Sequence, residues 1–193
     1  LLQDVRLESG ADKNFVQGNY IGVRTDGLSN LPGSVAGSLR ISNSSGNQIG
    51  GSAAERNVLF GDITIDGGPI NDRPLDYSGF IKANDNRLFG NFIGVGADGV
   101  TTLSFIGGRV DIGGNVKGTI IERNIIRGGG VFLGSNVDPI SKLLFEPVSN
   151  AIRANSIYQN NGLGISLNGD IYTDSNFFIS PRNEVTRNDN NDL

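Results

Sequence analysis

The side chains of this chain that could carry out a reaction are its carboxylates and arginines. Hydrolysis of a glycosidic bond needs two carboxyl groups about 5 to 9 Å apart, and a lyase site adds an arginine or lysine base, sometimes with Ca²⁺. Three pairs of aspartates four residues apart are candidate acids: Asp62 with Asp66, Asp72 with Asp76, and Asp170 with Asp174. The candidate bases are Arg127 and Arg153.

Each of these candidates also has a simpler structural role. Asp62 stands at the corner that Asn19 and Asn91 fill in other copies of an internal repeat, which favours a turn role. The second pair lies in a proline-containing loop, and the third follows the last clear copy of the repeat. Solvated turn and capping roles are therefore favoured for these aspartates, and exposed strand positions for the two arginines.

Two Asp-Gly pairs are candidate calcium ligands. Asp26 and Asp98 each precede a glycine, and they could bind Ca²⁺ through carboxylate and carbonyl oxygens. Turn initiation is the simpler role of an Asp-Gly pair, and no EF-hand or nonapeptide calcium repeat is present. We therefore predict no cofactor, with Ca²⁺ left open.

The composition excludes several classes of chemistry. The chain has 193 residues, a length typical of one domain, and it contains neither cysteine nor histidine. Disulfide scaffolds, thiol nucleophiles, Ser-His-Asp triads and most zinc or haem sites are therefore excluded. The net charge of −4 and the pI near 4.8 argue against nucleic acid as a partner. Apolar runs of only a few residues argue against membrane insertion.

An internal repeat indicates how these residues are positioned. The sequence NFVQGNYIGV at 14–23 returns as NRLFGNFIGV at 86–95, and shorter copies begin at Asn57, Asn124 and Asn155. Each copy has an asparagine, a three-residue strand, a Gly/Asn corner and another short strand. Alternating apolar and polar residues precede several copies, as in VRL at 5–7, which is the period of a half-buried strand. Without the insertions, one repeat spans about 22 residues.

Such short strands, joined by sharp corners at a nearly constant period, predict an all-β fold. The expected architecture is a right-handed parallel β-helix, a single solenoid of about six to seven coils. Glycine, with 29 residues, and asparagine supply the positive φ angles of the corners. Corner asparagines of successive coils would lie about 4.8 Å apart and hydrogen-bond along the axis. We predict one such ladder, formed by Asn14, Asn57, Asn86, Asn124 and Asn155.

The same alignment predicts the core and the domain limits. One apolar column should contain Val16, Leu59, Leu88, Ile125 or Ile126, and Ile157; another should contain Ile21, Ile63, Ile93, Val131 and Ile165. The solenoid is predicted to cover 1–170, and 171–193 to form an aperiodic C-terminal cap or linker. The insertions 24–38 and 96–108 should project on one face. We expect Tyr20, Phe92 and Tyr158 to pack beneath these loops, the alternative being an exposed stripe on which sugar rings stack.

The repeated phrases resemble secreted bacterial right-handed parallel β-helix repeat proteins, which share the pectate-lyase-like fold. The resemblance is carried by GNYIGV followed by DG, by NQIGGSAAERNVLFGD at 47–62 and by NSIYQNNGLGISL at 155–167. It covers about 5–170. It implies an extracellular or cell-surface location and, as in many such surface proteins, an adhesive or structural role. No catalytic motif of the lyase members can be carried over to this chain.

Two functions remain open at this point. The sequence favours a non-catalytic extracellular module with a structural, adhesive or assembly role, because the repeat dominates and no unique acid–base constellation is present. Neighbouring domains or subunits would stack on the open solenoid ends, and polysaccharide is a further candidate partner. The alternative is a polysaccharide lyase or glycoside hydrolase. Its acids would lie on the loop-bearing face, in a cleft between the two insertions.

Overall fold

The architecture follows from the twenty short strands that the described residues form in a computed structural model. The structure describes residues 2–32, 37–68, 82–103, 108–137, 144–145, 147–168, 183–186 and 188–190. All regular secondary structure in these ranges is β-strand. The described residues contain no helix long and apolar enough to cross a membrane.

Eighteen of the strands form three six-stranded parallel sheets. The first sheet contains β1 (Val5–Glu8), β4 (Leu39–Ser42), β7 (Ile63–Gly67), β10 (Arg109–Gly114), β13 (Gly130–Gly134) and β18 (Ile165–Asn168). The second contains β2 (Phe15–Val16), β5 (Gln48–Gly50), β8 (Arg87–Phe89), β11 (Ile120–Glu122), β16 (Ala151–Arg153) and β19 (Glu184–Thr186). The third contains β3 (Tyr20–Ile21), β6 (Val58–Leu59), β9 (Phe92–Ile93), β12 (Ile125–Arg127), β17 (Ser156–Tyr158) and β20 (Asp189–Asn190).

The chain passes through the first, second and third sheets in this order six times, and each strand pairs in parallel with its counterpart in the next coil. This topology is a parallel β-helix, which confirms the predicted fold class. Val110 pairs with Val131, 21 positions later, so a coil without insertions has about the predicted length. The fifth coil carries an antiparallel pair, β14 (Asn136–Val137) with β15 (Leu144–Phe145).

Among the described residues, four apolar columns form the interior, two from the first sheet and one from each of the others. The central members of each column are fully buried, which stabilises the fold by about 1.5–3 kcal/mol per large aliphatic side chain. The second-sheet column is Val16, Ile49, Leu88, Ile121 and Ile152; the third-sheet column is Ile21, Leu59, Ile93, Ile126 and Ile157. Ile63, Val131 and Ile165 belong to a first-sheet column. The predicted columns were therefore wrong, because they mixed strands from different sheets.

Two asparagine ladders run along the solenoid. In the first ladder, which precedes the second sheet, Asn14 donates to Asn47 and Asn47 to Asn86, and further along Thr119 donates to Asn150 and Asn150 to Asn183. In the second ladder, which precedes the third sheet, the order is Asn19, Asn57, Asn91, Asn124, Asn155 and Asn188. Each asparagine donor presents its backbone N–H and its Nδ2 to the Oδ1 of the next coil, at 2.8 to 3.4 Å.

The predicted single ladder was wrong, because its five members belong to two different ladders. Asn14 and Asn86 lie in the first ladder, and Asn57, Asn124 and Asn155 lie in the second. Both corners of a coil have the same local pattern of an asparagine before two strand residues, so the alignment confused them. These asparagines also do not have positive φ angles. Glycines such as Gly18 and Gly90 supply the left-handed conformation, and the ladder residues supply hydrogen bonds.

Coil pairing continues beyond residue 170. β19 pairs with β16 and β20 with β17, and Asn188 accepts the last rung of the second ladder. These residues lie in the segment that the sequence analysis assigned to a cap or linker. A domain division at residue 170 stays a prediction.

Candidate functional site on the first sheet

The two insertions contact each other, and their aspartates stabilise turns. Asp26 accepts from the N–H groups of Leu28 and Ser29 and from the Ser29 hydroxyl, at 2.7 to 3.1 Å. Asp98 accepts equivalent bonds from Val100 and Thr101. These hydrogen bonds, first of all those from the hydroxyls, lower the pKa of both carboxyls. The carboxylates of both candidate calcium ligands therefore accept hydrogen bonds within their own turns.

Aromatic side chains pack beneath the insertions, as expected. Tyr20 and Phe92 belong to a small apolar cluster with Val23 and Val95, and the Tyr158 hydroxyl donates to the Gly99 carbonyl at 3.3 Å. The described parts of the loops lie side by side, since the Ala97 N–H donates to the Gly27 carbonyl at 2.8 Å.

The candidate base Arg127 also holds a loop. Its Nη1 donates to the Val100 carbonyl at 2.7 Å, its Nη2 contacts the Gln159 side chain, and its guanidinium lies over the Tyr158 ring. Arg127 is thus engaged in packing against the second insertion.

The other candidate base, Arg153, lies on the second sheet. Its Nη2 is 3.4 Å from Glu122 Oε2, which is also 3.3 Å from Arg87 Nη2. The Glu122 side chain is only 14% exposed, so the carboxylate is enclosed by these two guanidinium groups and by Arg123, at 3.8 Å. Arg153 is therefore an ion-pair residue of the second sheet, whereas the described candidate acid Asp66 lies on the first.

Asp62, of the predicted pair Asp62 and Asp66, stabilises a corner of the coil by hydrogen bonds. Its Oδ1 accepts from the N–H groups of Gly108 and Arg109, at 3.0 and 2.9 Å, and so connects the start of β7 to the start of β10. This is the turn role that its position in the repeat favoured. The remaining candidates, Asp72, Asp76, Asp170 and Asp174, lie outside the described residues.

The outward face of the first sheet brings Asp66 close to an acid that the sequence analysis did not select. Asp111 lies opposite Thr64, and Asp66 lies opposite Gly113, so the two aspartates are diagonal neighbours on adjacent strands. Strand spacing of about 4.8 Å and a rise of about 3.3 Å per residue place their Cα atoms about 8 Å apart. Glycoside hydrolysis requires two carboxyl groups about 5 to 9 Å apart, and neighbouring strands of one sheet face can present such a pair.

Both of these carboxyls are half-buried, and each has an arginine beside it. Burial raises the pKa of Asp66, and Arg40 Nη2, 3.8 Å from its Oδ2, partly opposes the increase. Burial also raises the pKa of Asp111, where Arg109 Nε, 2.5 Å from Oδ1, lowers it and the charge of Asp62 raises it further. Carboxyls with raised pKa values on an accessible face are typical of acid–base sites.

An open groove of about 380 Å³ lies beside this pair, towards the last coils. Phe132 and Arg109 line one part of it, with the guanidinium 4.7 Å from the ring centroid, and Asn161, Leu163 and Ser166 line another part. The groove therefore combines an aromatic ring, an exposed apolar side chain and several hydrogen-bonding groups. Such a combination is suited to the apolar faces and hydroxyl groups of sugars.

Sequence reasoning missed Asp111, Arg40, Arg109 and Phe132. Arg40, Arg109 and Asp111 alternate with apolar residues in their strands, so the period of two could have assigned their side chains to the outer face. Phe132 lies in an uninterrupted apolar run, which gives no such signal. Which of them are neighbours depends on the register between coils, which long insertions conceal. Among the described residues, no group of three or more acidic side chains lies close enough together to hold a metal ion.

Comparison with known proteins gives no match, whether with family models, curated proteins or solved structures.

Proposed function

We propose that the chain is a rigid, non-catalytic β-helix module with a structural, adhesive or assembly role at the cell surface or outside the cell. The observation that carries this proposal is the second asparagine ladder, which joins all six coils through buried or half-buried amides. Continuous hydrogen bonding along the axis favours a stiff rod, because each coil is fixed to both neighbours. The proposed location rests on the resemblance to secreted β-helix repeat proteins.

Assembly would use the ends of the solenoid. The last described strands of the three sheets are β18, β19 and β20, and they carry the exposed apolar residues Leu167 and Val185. Unpaired strand edges with apolar side chains can accept another coil. Neighbouring domains or subunits stacked on these edges are the partners that this geometry favours.

Adhesion would use the first sheet. Its outer face carries the groove of Phe132 and Arg109, and we propose that a polysaccharide chain lies along it. The test is a glycan array with the wild-type protein, followed by Phe132→Ala. Phe15→Ala is the matched control, because Phe15 is a highly exposed ring on the second sheet. Weakened binding for Phe132→Ala alone supports the proposal, and equal binding by all three proteins refutes contact at this groove.

The Asp66–Asp111 pair favours a second candidate function, hydrolysis or lyase cleavage of a polysaccharide. A depolymerisation assay on neutral and acidic polysaccharides, with and without Ca²⁺, separates the two functions. Binding without shorter products supports the non-catalytic module. Shorter products that disappear in both Asp66→Asn and Asp111→Asn would establish the enzyme instead.

A further inference from the structure

Two arginines lie side by side at the other end of the first sheet. Arg6 of β1 pairs in register with Arg40 of β4, and Thr64 of β7 is next in the same row. Residues in register on adjacent parallel strands are separated by about 4.8 Å. The two side chains are exposed on the outer face of the sheet, so both guanidinium groups are accessible from solvent.

This arrangement leaves the positive charge only partly balanced. Like charges directly opposite each other on neighbouring strands are unfavourable. Arg40 has one acidic partner, Asp66, at 3.8 Å, and in the described part of the chain no carboxylate lies within ion-pair distance of Arg6. An exposed pair at 3.8 Å contributes little. Most of the ten N–H donors of two guanidinium groups therefore remain available to a ligand.

A separate groove gives a ligand access to this pair. It has a volume of about 340 Å³ and is lined by Arg6, Arg40, Ser38, Thr64 and Asp4. The carboxylate of Asp4 is already engaged, since its Oδ1 accepts from the Ser38 N–H at 3.0 Å and from the Ser38 hydroxyl at 3.3 Å. Asp4 thus shapes the wall of the groove, and the two arginines and Thr64 supply its donors.

We propose that this groove binds an oxyanion between Arg6 and Arg40, with the Thr64 hydroxyl as a further donor. The planar guanidinium group matches the oxygens of sulfate, phosphate and carboxylate, which it can bind with two parallel hydrogen bonds. An oxyanion would also replace the repulsion between the two arginines by attraction to both. The ligand is either a free inorganic anion or the charged group of an acidic saccharide. The site does not depend on the function proposed above.

The test is a titration with sodium sulfate at constant ionic strength, followed by NMR of the arginine Nε–H groups. The expected result is a saturable shift of the Arg6 and Arg40 signals. Arg6→Gln and Arg40→Gln should each weaken binding by at least about tenfold, because each removes a charge-assisted contact. Arg24→Gln is the matched control, since it makes the same charge change at an exposed loop residue and should leave the affinity unchanged.

A second arm identifies the source of the anion. Dextran sulfate oligosaccharides are compared with neutral dextran of the same length, each with the wild type and Arg6→Gln. If the wild type binds the sulfated oligosaccharide more tightly than sulfate, and Arg6→Gln loses this difference, the ligand is an acidic saccharide. If the affinity per sulfate group is equal, the ligand is a free anion. A non-saturable shift, or equal weakening by Arg24→Gln, overturns the proposal. Thermal unfolding of each variant verifies that it is folded.

Discussion

Replacement of Asn91 by alanine tests the ladder at its centre. The Asn91 Oδ1 accepts from the Asn57 N–H at 3.4 Å and from the Asn57 Nδ2 at 3.0 Å. Its Nδ2 donates to the Ile49 carbonyl at 2.9 Å and to the Asn124 Oδ1 at 3.0 Å. Asn91 is fully buried, so water cannot replace these partners without rearrangement of the coils. Asn91→Ala therefore removes the side-chain amide from this corner, while the Asn91 N–H can still donate to the Asn124 Oδ1, at 2.9 Å.

The expected loss of stability follows from the groups left without a partner. The Asn57 N–H loses its acceptor, and the Ile49 carbonyl loses a donor. The Asn57 Nδ2 is less affected, because it also donates to the Val16 carbonyl at 2.7 Å. A buried polar group that loses its partner costs about 1–3 kcal/mol, so the two groups together cost about 2–6 kcal/mol. This approaches the whole stability of a typical domain, about 5–15 kcal/mol.

The assay is equilibrium unfolding in urea, with Asn30→Ala as the control. Asn30 is exposed in the first insertion, and its replacement should change the free energy of unfolding by less than about 0.5 kcal/mol. A loss for Asn91→Ala within about 1 kcal/mol of that for Asn30→Ala would show that the buried ladder does not hold the coils together.

Three further predictions concern single positions. Thr119→Asn should raise the free energy of unfolding by about 1 kcal/mol in the same assay. The buried Thr119 hydroxyl has no partner among the described residues, and an asparagine there would join Asn86 to Asn150 in the first ladder. A lower free energy of unfolding would mean that the corner cannot admit an amide. Asp98→Asn should accelerate hydrogen exchange of the turn amides relative to their intrinsic rates at the same pH, and acid should raise the same ratio. The pKa of Asp98 is lowered, so its contribution to the stability of the turn is present above the ordinary aspartate pKa and is lost as pH falls through the lowered value. Unchanged exchange of the turn amides would contradict this role. The pKa of Asp66 is raised, so ionised Asp66 lowers the stability of the fold above the raised pKa, and this penalty is relieved as pH falls through that value. Carboxyl ¹³C NMR should give Asp66 a higher titration midpoint than Asp98. The reverse order would refute the assignment.

The fold could be predicted because its physical causes repeat along the sequence. Alternation in the segments that form β1, β4 and β10 predicted strands with one buried face, and the recurring asparagine and glycine corners predicted stacked coils. The assignment of each asparagine to a ladder could not be predicted, since both corners have the same local pattern. An insertion between Asn47 and Asn57 also hides the regular spacing of five residues that separates Asn14 from Asn19 and Asn86 from Asn91.

The candidate site was less predictable than the fold. Asp66 was selected for its short distance from Asp62 along the sequence, but the two have different roles. Asp62 holds a corner, and the spatial neighbour of Asp66 is Asp111, which lies 45 positions later in the next coil. Neighbours in different coils are determined by the pairing register. The sequence hides this register, because one coil contains an insertion of a length that no periodic pattern gives.

The most direct test of stacked coils is NMR detection of couplings through the side-chain hydrogen bonds of asparagine. In protein labelled with ¹⁵N and ¹³C at asparagine, we expect couplings from Asn57 Nδ2 to Asn91 Cγ and from Asn91 Nδ2 to Asn124 Cγ. These side-chain amides should also exchange slowly with water, because they are buried. Couplings between Asn57 and Asn86 instead, or rapid exchange of all the side-chain amides, would contradict the two-ladder solenoid.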